Sequence, residues 1–181
     1  MNLDLYNVLT QGIGFAGVIF FLISYQVKSN KSLFILQTLG CISFGVQFSL
    51  LGAYSGCLSL FINIIRNVML TKYNEYKLIR WKGWIGVFSV SAVLAALLTW
   101  NGPISLLPVA GTIAGTAAYW TNNARNIRTA NLTVNAPCML IYDVLVKSWG
   151  GVLNESITII AIVVSIIRFG WTALNGDVIK K

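Results

Sequence analysis

The chain has 181 residues, of which 56% are hydrophobic and only 10% are charged, and its formal net charge is +8. A soluble domain carries roughly 25% charged residues, so this composition excludes an ordinary water-exposed surface. The basic residues fall in short gaps between apolar runs and are not gathered with stacking aromatics on one wet face, which argues against nucleic acid as a partner. The lipid bilayer is the predicted partner of the surface.

Apolar stretches near the length of a membrane span follow one another along the chain. A spanning helix needs about 20 mostly apolar residues. The N-terminus lacks the basic segment of a signal peptide, so the first apolar run is expected to be retained. We therefore predict an all-α membrane protein with seven transmembrane helices, at residues 6–26, 33–52, 56–72, 83–100, 104–121, 132–148 and 152–173.

The basic residues alternate between the predicted loops. Every odd-numbered loop and the C-terminal tail are basic, whereas the second and fourth loops carry no Lys or Arg. Cytoplasmic loops are enriched in Lys and Arg, so the N-terminus is predicted outside and the C-terminus in the cytoplasm. The basic positions in these loops and the tail are Lys28 and Lys31, then Lys72, Lys77, Arg80 and Lys82, then Arg125 and Arg128, and finally Lys180 and Lys181. Arg66 and Arg168 lie toward the same ends of the third and seventh helices, and Lys147 alone lies on the opposite side.

Two halves of the chain share short patterns. Lys31 and Cys41 are matched by Arg128 and Cys138, both 97 residues later, and Ile64-Ile65-Arg66 is matched by Ile166-Ile167-Arg168, 102 residues later. These matches predict a 3+1+3 arrangement, with a first triple-helix bundle at 6–72, a linker helix at 83–100 and a second bundle at 104–173. An odd linker makes the two bundles parallel, as in some transporters.

Polar residues within the predicted spans are the candidate site. Asn63, Arg66 and Asn67 share one stripe of the third helix, because spacings of three and four lie on one face. Arg66 could hold an anionic or carbonyl group, or extend to cytoplasmic headgroups. Asp143 and Lys147 are four apart in the sixth helix, where they could form a neutralised pair or contact a substrate.

Other polar and small residues indicate helix packing. Gln37 and Gln47 predict hydrogen bonds between helices. The segment from Gly111 to Gly115 predicts a close helix contact, either within the chain or with a second copy, so a homo-oligomer is possible. The sequence has no histidine and only five acidic residues. No catalytic set, phosphate loop or metal-ligand cluster assembles, and we expect no enzymatic activity, no cofactor and no metal site.

The segment SYQVKSNKSLFILQTLGCISFGVQFSLLGAYSG, followed by INIIRNV, resembles the YgjV-type bacterial inner-membrane proteins. These are similar to the superfamily of SWEET sugar transporters, PQ-loop proteins and PnuC-type vitamin transporters. The resemblance implies a multi-pass protein of the bacterial inner membrane, with a periplasmic N-terminus. By analogy with SWEET proteins, an asparagine on the third helix of each bundle faces a central cavity. Asn63 matches that position, and its repeat partner is Ser165.

The resulting hypothesis is a carrier or facilitator for a small polar solute of unknown identity. Its cavity is expected between the two bundles, lined by Asn63 and Ser165 and by aromatics such as Phe48 and Tyr142. Arg66, Asn67 and Asp143 complete the candidate substrate contacts. The alternative is a membrane-embedded binding or assembly protein that transports nothing. A continuous polar cavity favours the first hypothesis, and an interior packed with apolar side chains favours the second.

Overall fold

A computed structural model describes residues 3–26, 30–121 and 123–169 of the chain. These residues form seven helices and no strand. In chain order the helices are α1 (Leu3–Gln26), α2 (Asn30–Leu50), α3 (Tyr54–Leu70), α4 (Gly83–Leu98), α5 (Leu106–Trp120), α6 and α7 (Trp149–Phe169). The sixth helix, α6, runs continuously through Ala124–Ala130, a π-helical turn at Asn131–Asn135, and Ala136–Leu145.

The last two helices begin earlier than the sequence predicted. α6 begins at Ala124, not at 132, because the Asn123 side chain accepts hydrogen bonds from the backbone N–H groups of Arg125 and Asn126, at 2.9 and 3.4 Å. This is the usual way in which asparagine caps a helix. α7 begins at Trp149, where the Ser148 hydroxyl accepts the N–H of Gly151 at 3.2 Å. The predicted end of the seventh helix, at 173, lies outside the described residues.

The chain reverses direction at residues with positive φ. Gly52 and Gly102, at the two predicted Gly-containing turns, have φ of 70° and 83°, a region that glycine enters without steric cost. Lys147, between α6 and α7, also has a positive φ, of 59°. Its side chain is exposed and forms no ion pair with Asp143. The predicted pair between Asp143 and Lys147 is therefore wrong, because α6 ends at Leu145, before Lys147 can complete another turn.

Six helices form a closed ring. α2 packs between α1 and α3, and α6 packs between α5 and α7. The ring is completed by contacts of α3 with α5 and of α7 with α1. α4 lies outside this ring, against α3 and α5.

The surface is more apolar than the interior. Large apolar side chains such as Val8, Leu98 and Ile167 are 68%, 83% and 79% exposed, whereas Gln47 and Thr116 are fully buried. Extended exposed apolar surface marks contact with a membrane or with a partner. By length and composition, one described helix, over Leu5–Ser24, meets the requirement for crossing a bilayer. Four other apolar helices are shorter, at Phe34–Leu50, Tyr54–Leu70, Gly83–Leu98 and Trp149–Val164.

Buried amides connect the helices, as the sequence predicted. Gln47 of α2 donates to Gln11 Oε1 of α1 and accepts from the Ser148 hydroxyl, both at 3.0 Å. Gln37 of α2 accepts from the Tyr119 hydroxyl of α5 at 3.3 Å. The prediction that both glutamines make hydrogen bonds between helices is confirmed.

Candidate central cavity

A polar cavity of about 80 Å³ lies at the centre of the ring. Residues from all six ring helices line it, and none comes from α4. From α1, α2 and α3 the lining residues are Phe21, Gln37, Cys41, Ser59, Leu60, Asn63, Arg66 and Asn67. From α5, α6 and α7 they are Gly111, Thr112, Gly115, Tyr119, Asn131, Asn135, Met139, Asn154, Glu155 and Thr158.

The predicted stripe on α3 faces this cavity. Asn63, Arg66 and Asn67 all line it, as expected of positions three and four residues apart on one helical face. Arg66 and Asn67 are 5% and 1% exposed. The buried Oδ1 atom of Asn63 accepts no hydrogen bond within the described part of the chain. A buried polar atom without a partner is costly, so Asn63 offers an acceptor position to a ligand or to water.

Arg66 is held entirely by uncharged groups. Its Nε and one terminal nitrogen, Nη2, donate to Asn67 Oδ1 at 3.3 and 3.2 Å, and Nη1 donates to Thr116 Oγ1 at 3.3 Å. The guanidinium carbon lies 4.5 Å from the centroid of the Tyr119 ring, in the range of a cation–π interaction. An arginine has five N–H donors. These contacts fix the orientation of the guanidinium while using three of them.

The opposite charge comes from the other half of the ring. Glu155 of α7 lines the same cavity, and its Oε1 accepts a hydrogen bond from Asn154 Nδ2 at 3.0 Å. Among the described residues that line the cavity, Arg66 is the one cation and Glu155 the one carboxylate, and the two do not form an ion pair. The cavity therefore contains one basic and one acidic side chain that are not paired with each other.

The π-helical turn of α6 brings two asparagines into the cavity. Asn135 Nδ2 donates to Asn131 Oδ1 at 3.1 Å, and both residues line the cavity. A methyl group on Gly111 of α5 would lie 2.6 Å from Asn135 Oδ1, and one on Gly115 would lie 3.4 Å from Arg66 Nη1. The partners of the predicted small-residue face are thus polar side chains of the same chain. π-Helical turns recur at functional sites.

Residues of α3 and α7 with the same spacing line the cavity. Ser59, Leu60 and Asn63 of α3 correspond to Asn154, Glu155 and Thr158 of α7, each 95 residues later, and all six line the cavity. Gly56 and Gly151 have the same separation. The sequence paired Asn63 with Ser165 instead, at an offset of 102. The side chain of Ser165 lies outside the described residues, and its backbone lies two helical turns beyond Thr158 in α7.

The other predicted contacts lie outside the cavity. Asp143 is 1% exposed and packs under the first turn of α7, where a methyl group on Gly151 would meet its carboxylate at 2.3 Å. Phe48 and Tyr142 also do not line the cavity. They pack edge to face, with ring centroids 5.5 Å apart, so the prediction that they line the cavity is wrong.

Tyr142 lines a wider cup at one end of the ring. The cup has a volume of about 680 Å³, and the connections α2–α3, α4–α5 and α6–α7 line it together with Tyr142. Beneath Tyr142, Leu60 and Met139 belong to the same apolar cluster and face the central cavity. The Tyr142 hydroxyl accepts from Gly56 N–H at 2.9 Å and donates to Ala53 O at 3.2 Å. We call this group of Phe48, Leu60, Met139 and Tyr142 the outer barrier.

Glu155, Asn131 and Asn135 were not predicted as site residues. The predicted helix starts placed all three at or near the mouth of a span. Aligning Gly56 with Gly151 would have aligned Leu60 with Glu155, four residues further on, and Leu60 faces the cavity.

Comparison with known proteins confirms part of this picture. The chain is an all-helical protein with many exposed apolar side chains, and a family model described as "Bacterial inner membrane protein" (Imp-YgjV) matches residues 8–172, which defines it as a helical membrane protein. The chain belongs to the YgjV family of bacterial inner-membrane proteins. It is 28% identical over 169 residues to "Inner membrane protein YgjV" of Escherichia coli (strain K12), covering 89% of this chain and 84% of that protein. No solved structure matches the chain significantly.

Proposed function

We propose that this inner-membrane protein is a carrier or facilitator for a small polar solute. The observation that carries the proposal is the central cavity, which all six ring helices line and which contains Arg66, Glu155 and several amides. Ionisable groups in a membrane interior are costly and commonly mark a substrate or ion pathway. The alternative, a membrane-embedded binding or assembly protein that transports nothing, would be favoured by an interior packed with apolar side chains, whereas this interior contains a cavity lined by polar residues.

The proposed topology is multi-pass, with a periplasmic N-terminus and a cytoplasmic C-terminus. The alternation of basic loops supports it, as does the exposed apolar surface of the helices. The three connections predicted to be periplasmic come together around one cup. Helices of 16 or 17 residues, such as α4 and α3, rise about 25 Å, and bilayers adjust to spans somewhat shorter than their hydrocarbon core.

The proposed architecture is a parallel duplication of a three-helix unit, with α4 as the linker, as in SWEET-like transporters. Two features support it. The contacts of α3 with α5 and of α7 with α1 join equivalent edges of the two units. The shared offset of 95 residues places corresponding positions of α3 and α7 at the same cavity.

Transport is tested with purified protein in proteoliposomes, by uptake and counterflow of a radiolabelled metabolite panel that includes amino acids, sugars and organic acids. Saturable flux of at least one polar solute, absent from protein-free liposomes, is the expected result. Asn63→Ala, which removes the unpartnered acceptor from the cavity, should abolish that flux. Asn74→Ala changes an exposed asparagine between α3 and α4, and should retain it. Absence of flux for every solute would overturn the proposal.

A further inference from the structure

Arg66 and Glu155 are ionisable groups of opposite type that line one cavity without forming an ion pair with each other. The guanidinium contacts Asn67, Thr116 and the Tyr119 ring, all of them uncharged. The Glu155 carboxylate accepts from the Asn154 amide. Removing charges from water without pairing them is strongly unfavourable. A ligand that supplies both missing counter-charges would offset that cost at both ends.

The unused donors of Arg66 suit a carboxylate. Three of the five N–H groups donate to Asn67 and Thr116, which leaves one N–H on each terminal nitrogen without a partner in the described structure. Two donors on neighbouring nitrogens match the two oxygens of a carboxylate. The space in front of the guanidinium is preserved by Gly115, whose Cβ position lies 3.4 Å from Nη1.

The proposed duplication places Glu155 and Arg66 at different depths in the cavity. With an offset of 95 residues, Glu155 would be level with Leu60, and Arg66 is six residues, about 9 Å, further along α3. Its second carboxylate oxygen can accept from an ammonium group, while Asn63 Oδ1 offers another acceptor on the facing helix. The cation-binding side of the cavity is therefore separated from the anion-binding side along the axis of the ring.

The volume of the cavity limits the size of the ligand. The cavity volume of about 80 Å³ is roughly half of the ~150 Å³ that admits benzene in an engineered apolar cavity. This limits a solute to a handful of heavy atoms. Sugars and nucleosides are too large for the cavity in this closed state.

We propose that the cavity binds a small zwitterion of the α-amino-acid type, such as glycine or alanine, with its carboxylate on Arg66 and its ammonium group on Glu155. This inference rests on the proposed function for its biological meaning, but binding can be measured without transport. It identifies the solute class and gives each charged side chain a separate role.

The test is a titration of purified protein with glycine, acetate and methylammonium, followed by isothermal calorimetry and by the ligand-induced rise in unfolding temperature. Glycine should bind more tightly than either single-charge analogue. Glu155→Gln should weaken glycine binding about 10- to 100-fold, as expected from losing a hydrogen bond to a charged group, and leave acetate binding unchanged. Arg66→Lys keeps the charge but loses the paired donors, and should weaken both glycine and acetate.

Matched controls lie outside the cavity. Glu75→Gln and Arg80→Gln change charged residues of the connection between α3 and α4 and should leave glycine binding unchanged. Unfolding of each variant without ligand establishes that it is folded. Equal binding of glycine by wild type and Glu155→Gln would overturn the assignment, as would tighter binding of a neutral solute. If glycine binds but no solute is transported in proteoliposomes, the binding site is supported and the proposed transport is overturned. If a neutral sugar is transported but glycine does not bind, transport is supported and the zwitterion site is overturned.

Discussion

At the scale of single residues, Tyr142 of α6 caps a different helix, α3, which its position in the sequence does not indicate. α3 begins after Ala53, which provides no side-chain cap, and the first N–H groups of a helix need acceptors from elsewhere. The Tyr142 hydroxyl of α6 accepts the N–H of Gly56 and also lies 3.1 Å from the Ser55 hydroxyl. One tyrosine therefore caps α3 and closes the outer barrier.

Replacing Tyr142 by phenylalanine should loosen this barrier. The change leaves the buried N–H of Gly56 without its acceptor, which costs about 1–3 kcal/mol. We expect Cys41, which lines the cavity, to react roughly tenfold or more faster with Ag⁺, a thiol reagent small enough for the cavity, added from outside. The measurement uses a Cys57→Ser/Cys138→Ser background, so that Cys41 is the one thiol labelled.

Tyr6→Phe is the matched control for this experiment. Its hydroxyl also donates to a backbone carbonyl, Leu50 O, at 2.6 Å, but in an exposed position. Labelling of Cys41 should stay at the wild-type rate in that variant. Equal rates in the wild type, Tyr142→Phe and Tyr6→Phe would show that Tyr142 does not restrict access to the cavity.

The sequence predicted some cavity residues and not others for identifiable reasons. Asn63, Arg66 and Asn67 were found because they lie in the middle of a well-defined helix, where spacing alone fixes the shared face. Glu155 was missed because capping by Ser148 starts α7 earlier than its hydropathy indicates. Asp143 was assigned to the substrate because it is acidic and within a span. Its packing against Gly151 depends on a contact between helices that spacing cannot predict.

At the scale of helices, the contact between α1 and α7 depends on two glycines. A methyl group on Gly150 would lie 2.7 Å from the carbonyl carbon of Gly14. Because the obstacle is backbone, it cannot rotate away as a side chain could. The main chains of α1 and α7 therefore contact each other directly and close the ring at this point, as small residues commonly allow in membrane proteins.

Gly150→Ala should separate α1 from α7 and lower the unfolding temperature in detergent. Overpacking of this kind costs about 1–3 kcal/mol. Gly12→Ala is the control, because nothing lies within 4 Å of its Cβ position on α1, and it should leave stability unchanged or raise it slightly. If both variants unfold at the wild-type temperature, the contact between α1 and α7 does not require glycine at position 150.

The connection between α3 and α4 is ordered by its own basic residues. Arg80 donates to the carbonyls of Tyr73 and Asn74, at 3.1 and 2.9 Å. Lys72 pairs with Glu75 at 2.6 Å, and this hydrogen bond raises the pKa of Lys72. The sequence identified these residues through the charge of the loop. The sequence could not indicate that the Arg80 side chain also makes hydrogen bonds to the backbone of the loop.

At the scale of the whole molecule, the proposed topology makes a direct prediction. In a variant with all three cysteines replaced by serine, Asn101→Cys should react with an impermeant maleimide in intact cells, because Asn101 lines the cup on the predicted periplasmic side. Lys77→Cys, exposed in the connection between α3 and α4, should react only after the inner membrane is permeabilised. The opposite pattern would invert the orientation, and labelling of both sites in intact cells would contradict the multi-pass arrangement.

The offset of 95 residues also has an evolutionary consequence. In the proposed duplication, Arg66 would correspond to Ala161 and Glu155 to Leu60, so each ionisable residue would occur in only one half of the ring. Two identical three-helix chains associating symmetrically would place every charge in the cavity twice, and like charges would then face each other. Joining the halves in one gene, through a helix that the cavity does not use, allows each copy to mutate separately. In the proposed duplication, a pocket with one basic and one acidic end requires that the two copies have different sequences, and fusion in one chain keeps the two different halves together.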